Sequence, residues 1–207
     1  MLDAHITPLI DPVIKLMVEK IDRHGITPNQ LTVSGFIIGA LALPALAMQY
    51  WYTALVLILV NRLFDGLDGA LARHLNQSSA AGGFLDISLD FLFYSFIPLG
   101  FAFADPQQNA LCAAILLATF IGTGASFLAF AIPAEKYNID KPQFAYKSFY
   151  YLNGLTEGTE TIAFFVAFCI WPQYFHWLSL AFSAAAIVTI LTRVTGGYMT
   201  LKNIDKE

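Results

Sequence analysis

Apolar residues run along the chain in long blocks separated by short polar turns, and six blocks approach the roughly 20 residues that a helix needs to cross a bilayer. They cover about 31–49, 52–75, 82–104, 109–132, 155–171 and 174–200. Ahead of them, Ile10, Val13, Ile14, Met17, Val18 and Ile21 recur at helical spacing over 8–23, among Lys15, Glu19, Lys20, Asp22 and Arg23. That pattern predicts an amphipathic helix lying on the membrane surface or packed against the bundle. Gly25 stops it, and Thr27, Pro28 and Asn29 are start signals for the next helix. Pro133 is expected to end the fourth span, with a polar loop over 133–153 in which Gln143, Tyr146, Lys147 and Tyr150 either gate a cavity or contact headgroups. The predicted fold is an all-α membrane protein, a six-transmembrane-helix bundle with an N-terminal surface helix in one domain over 1–207.

Composition agrees with a membrane protein: 57% of the 207 residues are hydrophobic and 13% charged, too apolar for an ordinary soluble domain. The net charge of −4 comes without a basic tract, which argues against nucleic-acid binding. Cys112 and Cys169 sit in apolar runs and read as buried thiols. With six spans, every Lys and Arg falls on one side of the membrane, so both termini are expected to be cytoplasmic. Trp51, Tyr52, Trp171, Tyr174 and Trp177 cluster near the opposite turns, as in an aromatic belt. His5, His24, His74 and His176 have no catalytic partner visible in sequence and read as structural or solvated.

The polar residues that do not fit a plain bundle lie within 61–90, where Asp65, Asp68, Asp86 and Asp90 interrupt apolar helices. Carboxylates at such depth are costly and mark function by default. On a helix, Asp65 and Asp68 share a face, as do Asp86 and Asp90. Two neighbouring helices therefore point four carboxylates into one space. Either some of them stay protonated or divalent cations sit among them, and an all-oxygen donor set suits Mg²⁺ or Mn²⁺. Gly69, Ala72 and Gly82, each one turn from an aspartate, leave room for a bulky ligand beside the metals.

The stretch resembles the signature of the CDP-alcohol phosphatidyltransferase family. Asp65, Asp68, Gly69, Ala72, Arg73, Gly82, Asp86 and Asp90 match all eight fixed positions of D-x₂-D-G-x₂-A-R-x₈-G-x₃-D-x₃-D. The resemblance implies an integral membrane enzyme, commonly a homodimer, residing in the inner membrane if bacterial. It would transfer a phosphatidyl or related group from a CDP-linked lipid to the hydroxyl of a small alcohol, releasing CMP. It further implies that Asp65, Asp68, Asp86 and Asp90 hold two divalent cations, Mg²⁺ or Mn²⁺, and that Asp90 is the base. Asp68, Gly69, Ala72, Arg73 and Gly82 would border the nucleotide, although Arg73 also suits holding an aspartate or snorkelling to the interface. Two metals about 4 Å apart stabilise both oxygens of an in-line displacement, which fits that chemistry.

Acceptor binding is expected at Glu157, Glu160 and Arg193, with Arg62 or a loop lysine as helpers. Two glutamates at i and i+3 favour an amine-bearing or unphosphorylated alcohol over a dianion. The alternative is a phosphorylated acceptor such as glycerol 3-phosphate or inositol phosphate, with the glutamates paired to Arg193. An ion-coupled transporter is the rival of another class, since intramembrane acids also mark ion relays. Clustering of the acids at one end of their helices, rather than at the midplane, counts against it.

Overall fold

The protein is described here by a computed structural model, over residues 3–137, 139 and 156–204. Gln143, Tyr146, Lys147 and Tyr150 lie outside the described residues. All regular structure within them is helical: α1 (Asp3–Asp22), α2 (Pro28–Ala40), α3 (Ala42–Ala47), α4 (Trp51–His74), α5 (Ala80–Ala104), α6 (Pro106–Lys136), α7 (Gly158–Ile170) and α8 (Phe175–Ile204). Four stretches are long and apolar enough to cross a membrane: Pro28–Ala47, Ala80–Ala104, Pro106–Lys136 and Pro172–Ile204. Helix α4 has comparable length at 24 residues, but Arg62, Asp65, Asp68 and Arg73 interrupt it. Helix α7 has only 13 residues.

Local chemistry sets the helix boundaries. Gly25 adopts φ +67° after α1, a left-handed conformation natural to glycine. Thr27 and Gln30 then close a reciprocal capping box at the start of α2, with N···O distances of 3.3 and 2.9 Å. The first expected span is broken at Leu41. Pro44 accounts for the break, because its ring excludes the carbonyl of Ala40 four residues earlier and it has no N–H to offer. Helix α4 ends with Asn76 at φ +55° and Gln77 N bonded to Ala72 O at 2.9 Å, a Schellman-type stop. Ser79 Oγ then accepts from Gly82 N at 3.1 Å and starts α5. The expected end of the fourth span before Pro133 is corrected, since α6 continues to Lys136. Pro133 falls one turn from the end, where it removes a single hydrogen bond, and its carbonyl still accepts from Tyr137 N at 2.9 Å.

Aromatic packing forms the main core. Phe93, Phe101, Phe165, Phe168 and Phe175 are fully buried, and Phe101 stacks on Phe175 at 4.3 Å between centroids. A second, smaller core joins α1 to the bundle: Ile14 and Val18 are buried with Leu31, Leu67 and Leu71. The charged side of α1, with Lys15, Glu19 and Lys20, is exposed. His74 Nε2 adds a 3.5 Å contact to Asp22 at the end of α1, and His176 pairs with Gln108 at 3.1 Å. Tyr52, Trp171, Tyr174 and Trp177 are exposed, whereas Trp51 turns inward and stacks on Phe101.

The close crossing of α2 over α4 matters most for the site. A Cβ at Gly35 would stand 2.6 Å from Phe64 Cβ, and one at Gly39 would stand 2.8 Å from both Asn61 and Phe93. The G-x-x-x-G spacing of α2 is thus consumed inside the bundle, where small residues let two backbones approach. Overpacking such a crossing costs about 1–3 kcal/mol. Gly39→Leu is therefore expected to lower the thermal midpoint in detergent, while Ser34→Leu on the exposed side of α2 leaves it unchanged. Equal midpoints for both variants would contradict this packing.

Candidate active site

Asp65 and Asp68 project from α4, and Asp86 and Asp90 from α5, into one cleft that Thr32, Gly35 and Phe36 of α2 close from the side. The i, i+3 and i, i+4 spacings put both pairs on facing stripes, as expected from the sequence. The cleft holds about 10 Å³, close to the space of one water molecule or one small ion.

Each of three carboxylates has a resident partner. Asp68, itself buried, accepts from Thr32 Oγ1 at 2.6 Å. Asp90 Oδ1 accepts from Arg62 Nη2 at 2.5 Å, and Asp65 Oδ2 from Arg62 Nη1 at 3.4 Å. Arg62 is held in turn by Asn61 Oδ1, which accepts from its Nε at 2.8 Å and its Nη2 at 2.6 Å. The Tyr94 hydroxyl lies 3.2 Å from Arg62 Nη1, and the guanidinium carbon stands 4.7 Å from the Phe93 ring centroid. Asn61 is fixed by its Nδ2–H, which donates to Gly35 O at 2.9 Å. This network is what sequence reading missed. Thr32, Asn61 and Tyr94 were not singled out, and Arg62 was considered only as a helper for the acceptor. The available signal was a basic side chain three residues before an acid in an apolar helix, since a buried guanidinium there needs carboxylate partners.

The donor set fits a hard divalent cation: four carboxylates on one cleft, with a hydroxyl beside them. Among the described residues no three acidic, histidine or cysteine side chains converge as placed on a single metal position. Rotation of the carboxylates about their χ angles is what ligation would require.

Of the expected nucleotide neighbours, Asp68 lines this cleft, whereas Gly69, Ala72, Arg73 and Gly82 lie toward the end of α4 and the start of α5, outside its lining. Arg73 is exposed and would come within 3.4 Å of a Cβ on Gly69, so it folds back over that glycine. Ala72 is half-buried. Gly82 has a packing reason of its own, because a Cβ there would meet Ser79 Oγ at 3.1 Å and Asn29 Oδ1 at 3.2 Å.

A second cavity, of about 310 Å³, opens on the other side of Tyr94. Glu157 and Arg193 line it together with Phe91, Phe120, Thr123 and Phe127. Arg193 Nη1 donates to Thr123 O at 3.3 Å, and Thr161 Oγ1 donates to Glu157 O at 2.8 Å. Glu160 does not line the cavity; its Oε2 accepts from Glu157 N at 3.3 Å and caps α7.

Fold and site together define a multi-pass, all-helical membrane protein with a carboxylate cleft beside an Arg-containing cavity. The chain belongs to the CDP-alcohol phosphatidyltransferase family, whose model matches residues 25–194. It is therefore an enzyme of the phosphotransferase class, and the transporter alternative falls away. Inner membrane protein YnjF of Escherichia coli is 56% identical over 207 residues, 100% of both chains. An archaetidylinositol phosphate synthase of Pyrococcus horikoshii is 41% identical over 97 residues, 45% of this chain and 52% of that one. In fold, the chain resembles the Mycobacterium tuberculosis phosphatidylinositol phosphate synthase crystallised with CDP-DAG, with TM-score 0.71, 19% identity and coverage of 90% of this chain and 94% of that one. The same enzyme in complex with manganese and citrate gives TM-score 0.70 at 19% identity, covering 89% and 88%.

Leaving Gly35 O and the Arg62 guanidinium without Asn61 costs about 1–3 kcal/mol for each unmet buried group. Asn61→Leu, which keeps the branched heavy-atom shape but cannot hydrogen-bond, is expected to lower the thermal midpoint clearly. A midpoint within error of wild type would show that these bonds add nothing.

Proposed function

We propose that the protein transfers a phosphatidyl or related phospho-alcohol group from a CDP-linked lipid, CDP-diacylglycerol foremost, to the hydroxyl of a phosphorylated small alcohol in phospholipid synthesis. The observation that carries this reading is the placement of Arg193 and Glu157 in a cavity of about 310 Å³ lined also by Tyr94, whose hydroxyl accepts from Arg62 of the carboxylate cleft at 3.2 Å. Arg193 supplies a fork for the acceptor phosphate. Glu157 accepts from acceptor hydroxyls. An amine-bearing or unphosphorylated acceptor was favoured when both glutamates were expected to face one pocket. With Glu160 engaged in the α7 cap, the argument from paired carboxylates weakens. The names of the archaeal and mycobacterial relatives, an archaetidylinositol phosphate synthase and a phosphatidylinositol phosphate synthase, also favour a phosphorylated acceptor such as inositol phosphate.

In this reading Asp65, Asp68, Asp86 and Asp90 hold two divalent cations, Mg²⁺ or Mn²⁺. When bound, these neutralise the diphosphate and stabilise the departing CMP. Gly69, Ala72, Arg73 and Gly82 border the nucleotide. Asp90 takes the proton of the acceptor hydroxyl as its oxygen bonds to the lipid-bearing phosphorus and the P–O bond to CMP breaks. Tyr94 and Phe91, one residue from Asp90, separate the two sites and orient the acceptor. We further place α4 and α7 as membrane-crossing elements, giving six spans, with α1 at the surface, both termini and the site toward the cytoplasm, a homodimeric assembly and an inner-membrane location.

Purified protein with Mg²⁺ or Mn²⁺, CDP-diacylglycerol and a panel of acceptors is expected to release CMP most strongly with a phosphorylated alcohol. Arg193→Gln should then raise acceptor KM about tenfold or more, the usual scale of a lost charged hydrogen bond. Choline or serine outperforming glycerol 3-phosphate and inositol phosphate would overturn the acceptor assignment. Asp90→Asn should abolish CMP release while CDP-lipid binding largely persists; near wild-type turnover would show that Asp90 is not the base.

A further inference from the structure

We propose that Arg62 is a fixed resident cation of the carboxylate cleft and a positioning residue for Asp90. This rests on the metal-dependent transfer proposed above and concerns a residue outside the eight signature positions.

A guanidinium has five N–H donors and no acceptor. At Arg62 they are spread over five contacts: Nε and Nη2 to Asn61 Oδ1 at 2.8 and 2.6 Å, Nη2 to Asp90 Oδ1 at 2.5 Å, and Nη1 to Tyr94 Oη at 3.2 Å and Asp65 Oδ2 at 3.4 Å. The Phe93 and Tyr94 rings flank the group at 4.7 and 5.1 Å, and its side chain is only 10% exposed. A side chain tied in this way does not swing toward a substrate. It stays as a positive charge among carboxylates from two helices.

Two consequences follow for the reaction. The bond to Oδ1 fixes the Asp90 carboxylate, so the proton acceptor is oriented before substrate arrives. The same charge repels divalent cations from the cleft, because like charges a few ångströms apart in a poorly screened site interact strongly. Arg62 therefore weakens metal binding while it speeds transfer, a combination that a purely structural arginine would not give.

The test compares Arg62→Gln and Arg62→Lys with wild type in detergent. Mn²⁺ binding is read by electron paramagnetic resonance without lipid, and kcat and KM are read from CMP release at saturating Mn²⁺. Removing the charge in Arg62→Gln is expected to tighten Mn²⁺ binding about tenfold or more. Its kcat should fall about a hundredfold, the scale of a misplaced reacting group, while KM for the CDP-lipid stays within about threefold. Arg62→Lys keeps the charge and loses the fork, so Mn²⁺ affinity stays near wild type while kcat remains depressed. Unchanged or weaker Mn²⁺ binding in Arg62→Gln, or full turnover in Arg62→Lys, would overturn the proposal. Wild-type protein that neither binds Mn²⁺ nor releases CMP would instead remove the metal-dependent reading beneath it.

Discussion

A carboxylate inside an apolar bundle has to be met by positive charge or by hydrogen-bond donors, and the cleft between α4 and α5 is built around that need. At an effective dielectric near 20, two unit charges at 4 Å interact by about 4 kcal/mol, so neighbouring acids left alone would push their helices apart. Arg62 reaches from α4 to Asp90 of α5 and opposes that repulsion, while Thr32 does the same for Asp68 from α2. Breaking one side of such a buried pair leaves an uncompensated charge, which is far more costly than never having had the pair. The acidic residues are thus tolerated as a set, with their partners, and not one by one.

That set depends on backbone approach. Asn61 reaches Gly35 O only because α2 carries glycine where it crosses α4, and the same crossing brings Thr32 to Asp68. The left-handed stop at Asn76 and the Ser79 cap turn the chain back within a few residues, so that α5 presents Asp86 and Asp90 to α4. Behind the cleft, Phe93 joins the aromatic core to the Arg62 guanidinium, which couples packing to the charged site. The larger cavity lies next to Tyr94, whose ring faces Arg62 and whose side chain also lines that cavity.

Much of this was legible in the sequence, for reasons that differ by level. Aspartates at i, i+3 and i, i+4 put each pair on one helix face, and all four line one cleft. Start and stop signals such as Gly25, Thr27 and Pro28 act within a few residues and appear where local chemistry puts them. The break at Leu41 and the run of α6 through Pro133 do not follow from the sequence alone, because a proline either interrupts a helix, as Pro44 does, or is carried inside one, as Pro98 and Pro133 are. A G-x-x-x-G spacing suits a dimer contact or internal packing equally, and for Gly35 and Gly39 the position of Phe64 and Phe93 decides it. The bonds of Thr32 to Asp68, Asn61 to Gly35 and Arg62 to Asp90 each join different helices, so no spacing rule along one helix reveals them. Glu160 was likewise assigned to the acceptor because its role as a cap on α7 depends on the backbone of Glu157.

The central claim is that the carboxylates of α4 and α5 form one divalent-metal centre at which the CDP-lipid is cleaved. Anomalous scattering at the manganese edge, from crystals grown with Mn²⁺ and CDP-lipid, tests it most directly. Manganese peaks are expected among Asp65, Asp68, Asp86 and Asp90, beside the diphosphate. Manganese bound elsewhere, with the diphosphate held by other side chains and the four carboxylates apart from it, would contradict the account.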